Sequence, residues 1–73
     1  LNADDEKFFF TVVKSAFSQR RKTIANSLCS MMNINKQTVY SVLSDMGLNE
    51  NMRIEQFDME TLIDFSKKLK EYQ

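Results

Sequence analysis

A chain of 73 residues with no proline and a single glycine, Gly47, offers its backbone few places to break. Proline removes a helical hydrogen bond and clashes with the preceding turn, and glycine carries the next largest helix penalty. With those breakers nearly absent, apolar residues recurring at three- and four-residue spacing predict an all-α fold. A domain this small buries only about 60% of the surface its unfolded chain exposes. Every helix must therefore give one face to a thin common core, and residues 1–73 read as a single bundle of about four short helices.

The first helix is expected from about Asp4 to Phe17, with acids in its opening turn and Phe9, Val13, Ala16 and Phe17 on its buried stripe. Phe10 and Val12 fall at the edges of that stripe and Phe8 outside it. The second helix is expected from Gln19 or Arg20 to Met31, capped by Ser18, with Ile24, Leu28, Met31 and Met32 facing inward. A third, from about Lys36 to Met46, is capped by Asn35 and buries Val39, Val42, Leu43 and Met46. Gly47 ends it in the left-handed conformation, and Leu48 folds back on Leu43. An irregular link from Asn49 to Gln56 follows. The last helix starts at Asp58, with Phe57 stapled against Leu62, and buries Leu62, Phe65, Ser66 and Leu69 before fading at Tyr72. Its cations, Lys67, Lys68 and Lys70, lie near a carboxyl end that favours them, and an Asp64–Lys68 pair is expected on a solvated face.

A formal net charge of zero conceals strong segregation. Between Lys7 and Ser44 there is no Asp or Glu, while Lys7, Lys14, Arg20, Arg21, Lys22 and Lys36 give that stretch +6. Asp4, Asp5 and Glu6 offset it at one end, and from Asp45 onward seven acids face four bases. The densest cluster, Arg20-Arg21-Lys22, falls at the expected start of the second helix, where a cation is disfavoured by about 0.3–1 kcal/mol. Helix stability does not account for it. Free N–H groups at a helix start attract anions, and flanking arginines would complete a phosphate clamp. RNA is the ligand this pattern suggests, with Arg20, Arg21, Lys22, Gln19 and Lys14 as its contacts.

Other chemistries find little support. There is no histidine, and Cys29 stands alone, so neither a zinc site, a disulfide nor ordinary proton-transfer catalysis can be assembled, and no metal ligands are assigned. The plain reading of Cys29 is a free thiol, and that of the five methionines is core filler. No apolar run reaches membrane-spanning length and no signal-like segment is present, so a cytoplasmic, monomeric protein without membrane contact is expected. Leu1 in place of a starting Met suggests a fragment.

The string Phe9-Phe10-x-x-Val13-x-x-Ala16-Phe17-Ser18-Gln19-Arg20-Arg21-Lys22-Thr23-Ile24-x-Asn26-x-Leu28 closely resembles the carboxy-terminal domain of the bacterial KsgA-type ribosomal RNA adenine dimethyltransferases. Gly47-Leu48 and Arg53-x-Glu55-x-Phe57, followed by an amphipathic helix, are similar to that family's terminal segment. Ala25 departs from it where a further basic residue is common, and Phe57 replaces a frequent leucine. The resemblance implies a two-domain enzyme. Its amino-terminal Rossmann-like domain would bind S-adenosylmethionine and dimethylate two adjacent adenines near the 3′ end of the small-subunit (16S) ribosomal RNA. This chain would be the helical docking domain, with the pre-30S particle and its own catalytic domain as partners. It has no glycine-rich cofactor turn and no Asn-Leu-Pro-Tyr-like motif, so neither a catalytic nor a cofactor-binding residue is assigned here.

Three alternatives use the same residues differently. The related large-subunit methyltransferases share the architecture, but the Ser18-to-Thr23 wording favours the small-subunit branch. A helix-turn-helix DNA reader would have to rely on Gln37, Thr38 and Ser41 of the third helix. In a protein-interaction bundle, Arg20, Arg21 and Lys22 would pair with acids of the fourth helix.

Overall fold

A computed structural model of the chain describes residues 2–72. Four helices, α1 (Ala3–Ser18), α2 (Ile24–Met32), α3 (Lys36–Asp45) and α4 (Met59–Glu71), are joined by short turns, with a single 3₁₀ turn, Ile54–Gln56, between α3 and α4. Each helix packs on its neighbours in sequence, and α4 returns to pack on α1, closing the ring. The described residues contain no strand, and the all-α bundle stands. Its core takes Phe9, Val12 and Ala16 from α1, Ile24, Ala25 and Leu28 from α2, Val39, Val42 and Leu43 from α3, and Leu62, Phe65 and Leu69 from α4.

α1 is rotated from its expected setting. Its buried face runs through Phe9, Val12, Ser15 and Ala16, Val13 is half-buried, and Phe17 is 51% exposed. Phe8 packs against the core while Phe10 points to solvent. The sequence holds two overlapping apolar stripes, and the choice between them depends on how the neighbours fit. Ser15 and Ala16 on α1 and Ala25 and Ser27 on α2 are all buried, the small side chains that close approach of two packed helices requires.

α2 starts later than expected. Ser18 belongs to the last turn of α1, where its hydroxyl donates to the Lys14 carbonyl at 2.8 Å, so it cannot cap the next helix. Thr23 does so instead, its Oγ1 accepting the Asn26 N–H at 3.3 Å. Met31 is largely exposed, Met32 packs at the core's edge, and Ala25 and Ser27 fill the inward face. The helix stops at Asn33, which adopts φ 55°; asparagine is among the few L-residues that visit this region routinely. Ile34 then turns into the core.

α3 matches its sequence pattern closely. Asn35 Oδ1 accepts the Gln37 N–H at 2.8 Å, Val39, Val42 and Leu43 are buried, and Met46 lies against the core. At the other end Gly47 has φ 69°. The Leu48 N–H donates to the Leu43 carbonyl at 2.8 Å and the Gly47 N–H to Ser44 at 3.0 Å, the paired bonds of a Schellman cap. A Cβ added at Gly47 would meet no atom within 4 Å, so any substitution cost there is one of backbone conformation. Gly47→Ala is expected to lose about 1–2 kcal/mol, Gly47→Val more, and Gly47→Asn least. Thermal melting in the order Gly, Asn, Ala, Val checks this, and equal melting temperatures would contradict it.

The link between α3 and α4 is less irregular than its composition suggests. Ile54 is buried, Gln56 Oε1 accepts the Arg53 N–H at 2.8 Å, and the Met52 carbonyl accepts the Ile24 N–H at 2.8 Å. Asp58 caps α4, accepting the Thr61 N–H at 2.7 Å, and the inward residues are Leu62, Phe65, Ser66 and Leu69 as the spacing requires. Phe57 meets Phe65 edge to face, with ring centroids 5.5 Å apart.

The expected Asp64–Lys68 pair does not form. Among the described residues the one ion pair joins Lys70 Nζ to Asp5 Oδ1 at 2.8 Å, tying the last turn of α4 to the first turn of α1. Each charge sits at the helix end whose dipole favours it. The Lys70 hydrogen bond holds the Asp5 carboxyl below its ordinary 3.8, and Thr61, through its side chain and its backbone N–H, lowers that of Asp58. A carboxyl with a lowered folded pKa stabilises the fold fully above 3.8 and loses that contribution as pH falls through the folded value. Lys70→Met should therefore raise the Asp5 pKa and weaken the acid sensitivity of folding. An NMR titration in which Asp5 is unmoved by the substitution would show the pair to be inert.

Candidate nucleic-acid interface

The basic cluster occupies the turn between α1 and α2, and Gln19 organises that turn. Its N–H donates to the Ala16 carbonyl at 3.3 Å, while its own carbonyl accepts the Lys22 N–H at 2.9 Å and the Ser27 hydroxyl at 3.0 Å. Its side-chain amide points toward α2, with Nε2 3.5 Å from Ser30 Oγ and 3.4 Å from Met31 Sδ. Gln19 thus joins both helices through backbone and side chain, with its amide turned to the inner side of the turn.

This geometry reverses the electrostatic argument made from the sequence. Arg20, Arg21 and Lys22 follow the carboxyl end of α1, where cations are favoured by about 0.3–1 kcal/mol at low ionic strength. The amino end of α2 is also poorly placed to hold an anion. Its Ile24 N–H is bonded to Met52, its Asn26 N–H to Thr23, and Ala25 is fully buried. Any phosphate recognition here must come from side chains, with no free helix terminus completing a clamp.

Those side chains are free to act. Arg20, Arg21, Lys22 and Lys14 are all exposed, and none has an ion-pair partner among the described residues. Pairing of the cluster with acids of α4, the basis of the interaction-bundle reading, is not found. Phe17, Ser18, Gln19, Arg20, Arg21 and Lys22 together line an open concavity of about 320 Å³. On the helical wheel Lys14 lies near Phe10 and Phe17, away from the core. The opposite situation holds at α3, where a concavity bounded by Gln37, Tyr40, Ser41, Ser44, Asp45, Glu50 and Tyr72 carries two carboxylates and no cation. That charge is wrong for a helix meant to enter a DNA groove.

No group of three or more potential metal ligands occurs among the described residues, and none of their helices is long and apolar enough to cross a membrane. Two features of the turn escape a reading by period alone: the inward amide of Gln19 and the outward ring of Phe17. Thr23, three residues before Asn26, was the available signal for the later helix start.

Comparison with known proteins supplies the family. Ribosomal RNA small subunit methyltransferase A of Desulfitobacterium hafniense is 50% identical over 50 residues, covering 68% of this chain and 18% of that protein. Proteins of the same name from Moorella thermoacetica and Staphylococcus carnosus are each 39% identical, over 69 and 72 residues, covering 94% of this chain and 24% of theirs. The chain thus spans about a fifth to a quarter of the length of these relatives. No family model and no solved structure matches it. Identities of 39–50% spread over most of a short helical chain place it in the ribosomal RNA small subunit methyltransferase A family.

Proposed function

We propose that this chain is the RNA-docking domain of an S-adenosylmethionine-dependent methyltransferase that dimethylates two adjacent adenines near the 3′ end of 16S ribosomal RNA during assembly of the small subunit. The observation that carries this reading is the exposed triad Arg20, Arg21 and Lys22, unpaired among the described residues, on a turn that Gln19 braces. Bracing matters because cations held on a fixed turn meet phosphates with less ordering cost than cations on a mobile tail. Phosphate contacts set position and orientation and carry no base information. That is the task of a module that seats an enzyme on a folded pre-30S surface, with Lys14 extending the basic surface along α1.

The residues of this chain do not fit a cofactor site. Its lone glycine caps α3, and the described residues contain no strand from which a glycine-rich turn could lead into a helix. In the proposed arrangement methyl transfer belongs to an amino-terminal Rossmann-like domain, the second partner of this module.

Two titrations test the reading. Binding of the chain to immature small subunits should weaken steeply between 50 and 200 mM salt, on the order of the counterion release that phosphate contacts produce. Calorimetry with S-adenosylmethionine should show no saturable heat. Salt-independent binding would remove the phosphate interface, and one-to-one cofactor binding would overturn the assignment of the chain as noncatalytic.

A further inference from the structure

The concavity at the α1–α2 turn is not lined by cations alone. Phe17 forms one of its walls and is 51% exposed, although it sits at the end of an amphipathic helix whose neighbours Ser15 and Ala16 are buried. A phenyl ring left half in water beside three exposed cations gains nothing for the fold from its exposed face. An aromatic face next to a cationic backbone-binding surface is the combination that takes a nucleotide: the ring stacks on the base while the cations hold its phosphates. Duplex RNA offers no free base face, whereas loops, bulges and ends do.

We infer that Phe17 is a stacking platform for an unpaired base, so that the site formed by Phe17, Arg20, Arg21 and Lys22 takes a single-stranded or extruded RNA nucleotide in preference to a continuous duplex. This rests on the phosphate-docking role proposed above and deepens it by naming the RNA element. Three features support the occupant. The site's charge is wholly positive, and no acid lies anywhere between Lys7 and Ser44 to oppose a nucleotide. The space of about 320 Å³ is lined by Phe17 and the three cations together. The bracing of the turn by Gln19 fixes the spacing between the ring on α1 and the cations beyond it.

The chain contains no tryptophan, so Phe17→Trp introduces a single fluorescent reporter at the site. The probes are an RNA stem-loop with an unpaired loop and a fully paired duplex with the same number of phosphates. Wild type should bind both with a salt-dependent affinity and prefer the stem-loop. Phe17→Ala should lose about 5- to 150-fold on the stem-loop, the range typical of one base–aromatic stack, and little on the duplex. Phe17→Leu should behave like alanine, whereas Phe17→Trp should keep the affinity and have its emission quenched by the stem-loop only. Because the ring is half exposed, all three variants should melt near the parent.

Each other outcome decides against the inference. If Phe17→Ala binds the stem-loop as tightly as wild type, the ring takes no base, and its exposed face is left for a protein contact; the phosphate reading then survives. Equal losses on both probes, or full affinity in Phe17→Leu, would make the ring a support or a plain apolar contact. If wild type shows no salt-dependent binding to either RNA, the docking role fails and the stacking site with it.

Discussion

Phe65→Ala is expected to remove about 3–5 kcal/mol of stability, a large fraction of what a domain of this length has, since roughly 4–11 kcal/mol is typical for 73 residues. Phe65 is fully buried and is the largest of the completely enclosed side chains. It also receives the ring of Phe57 at 5.5 Å, so its loss costs an aromatic pair as well as buried area. α4 closes the bundle against both α1 and α3, which leaves the cavity little room to collapse. Urea denaturation should show a midpoint shifted far downward, and the melting temperature should fall by at least about 12 °C. Phe17→Ala supplies the contrast: with half its surface already in water, it should cost no more than about 1 kcal/mol. If the two substitutions cost the same, the rotation of α1 described above would be wrong.

Replacing Arg20, Arg21 and Lys22 together by alanine should act on RNA binding far more than on folding. All three side chains are exposed and, among the described residues, without ion-pair partners. The bonds that shape the turn use the backbone of Gln19 and Lys22 and the Ser27 hydroxyl, none of which the substitutions touch. The loss of three cations beyond the carboxyl end of α1 should lower stability only modestly, by about 1 kcal/mol at low salt. Against that, each phosphate contact releases about 0.7–0.9 of a counterion, so the slope of log affinity against log salt should flatten by roughly 2–3 units. In the proposed full-length methyltransferase, cofactor binding should be unaffected. A variant that kept both affinity and slope would move the RNA face elsewhere, to Lys67 and Lys68, since Lys70 is already engaged by Asp5.

These two experiments divide along what could be read from the chain and what could not. α3 and α4 were legible almost residue by residue. Each has one apolar stripe, one Asn or Asp cap whose side chain accepts an early N–H, and an interior free of competing stripes. The Gly47 cap follows from the single residue able to take φ 69° without strain. The buried Ile54 was not legible, because two apolar residues, Met52 and Ile54, in a short polar link are too few to set a period that shows which way they point. The same is true of the ion partner of Lys70, which lies 65 positions away, beyond any local pairing rule.

The first half of the chain shows the boundary most sharply. Composition and spacing by themselves determined that the chain is helical, that its core is shared by four amphipathic faces, and that positive charge gathers around Arg20, Arg21 and Lys22, because breakers, periods and charge order are properties of the string. Which of two apolar stripes α1 buries was decided only by tertiary structure. Spacing alone does not choose between stripes that overlap on one helix, and the packing of α1 on α2 and α4, with Gln19 locked between helices, selects the one that encloses Val12 and leaves Phe17 beside the cations.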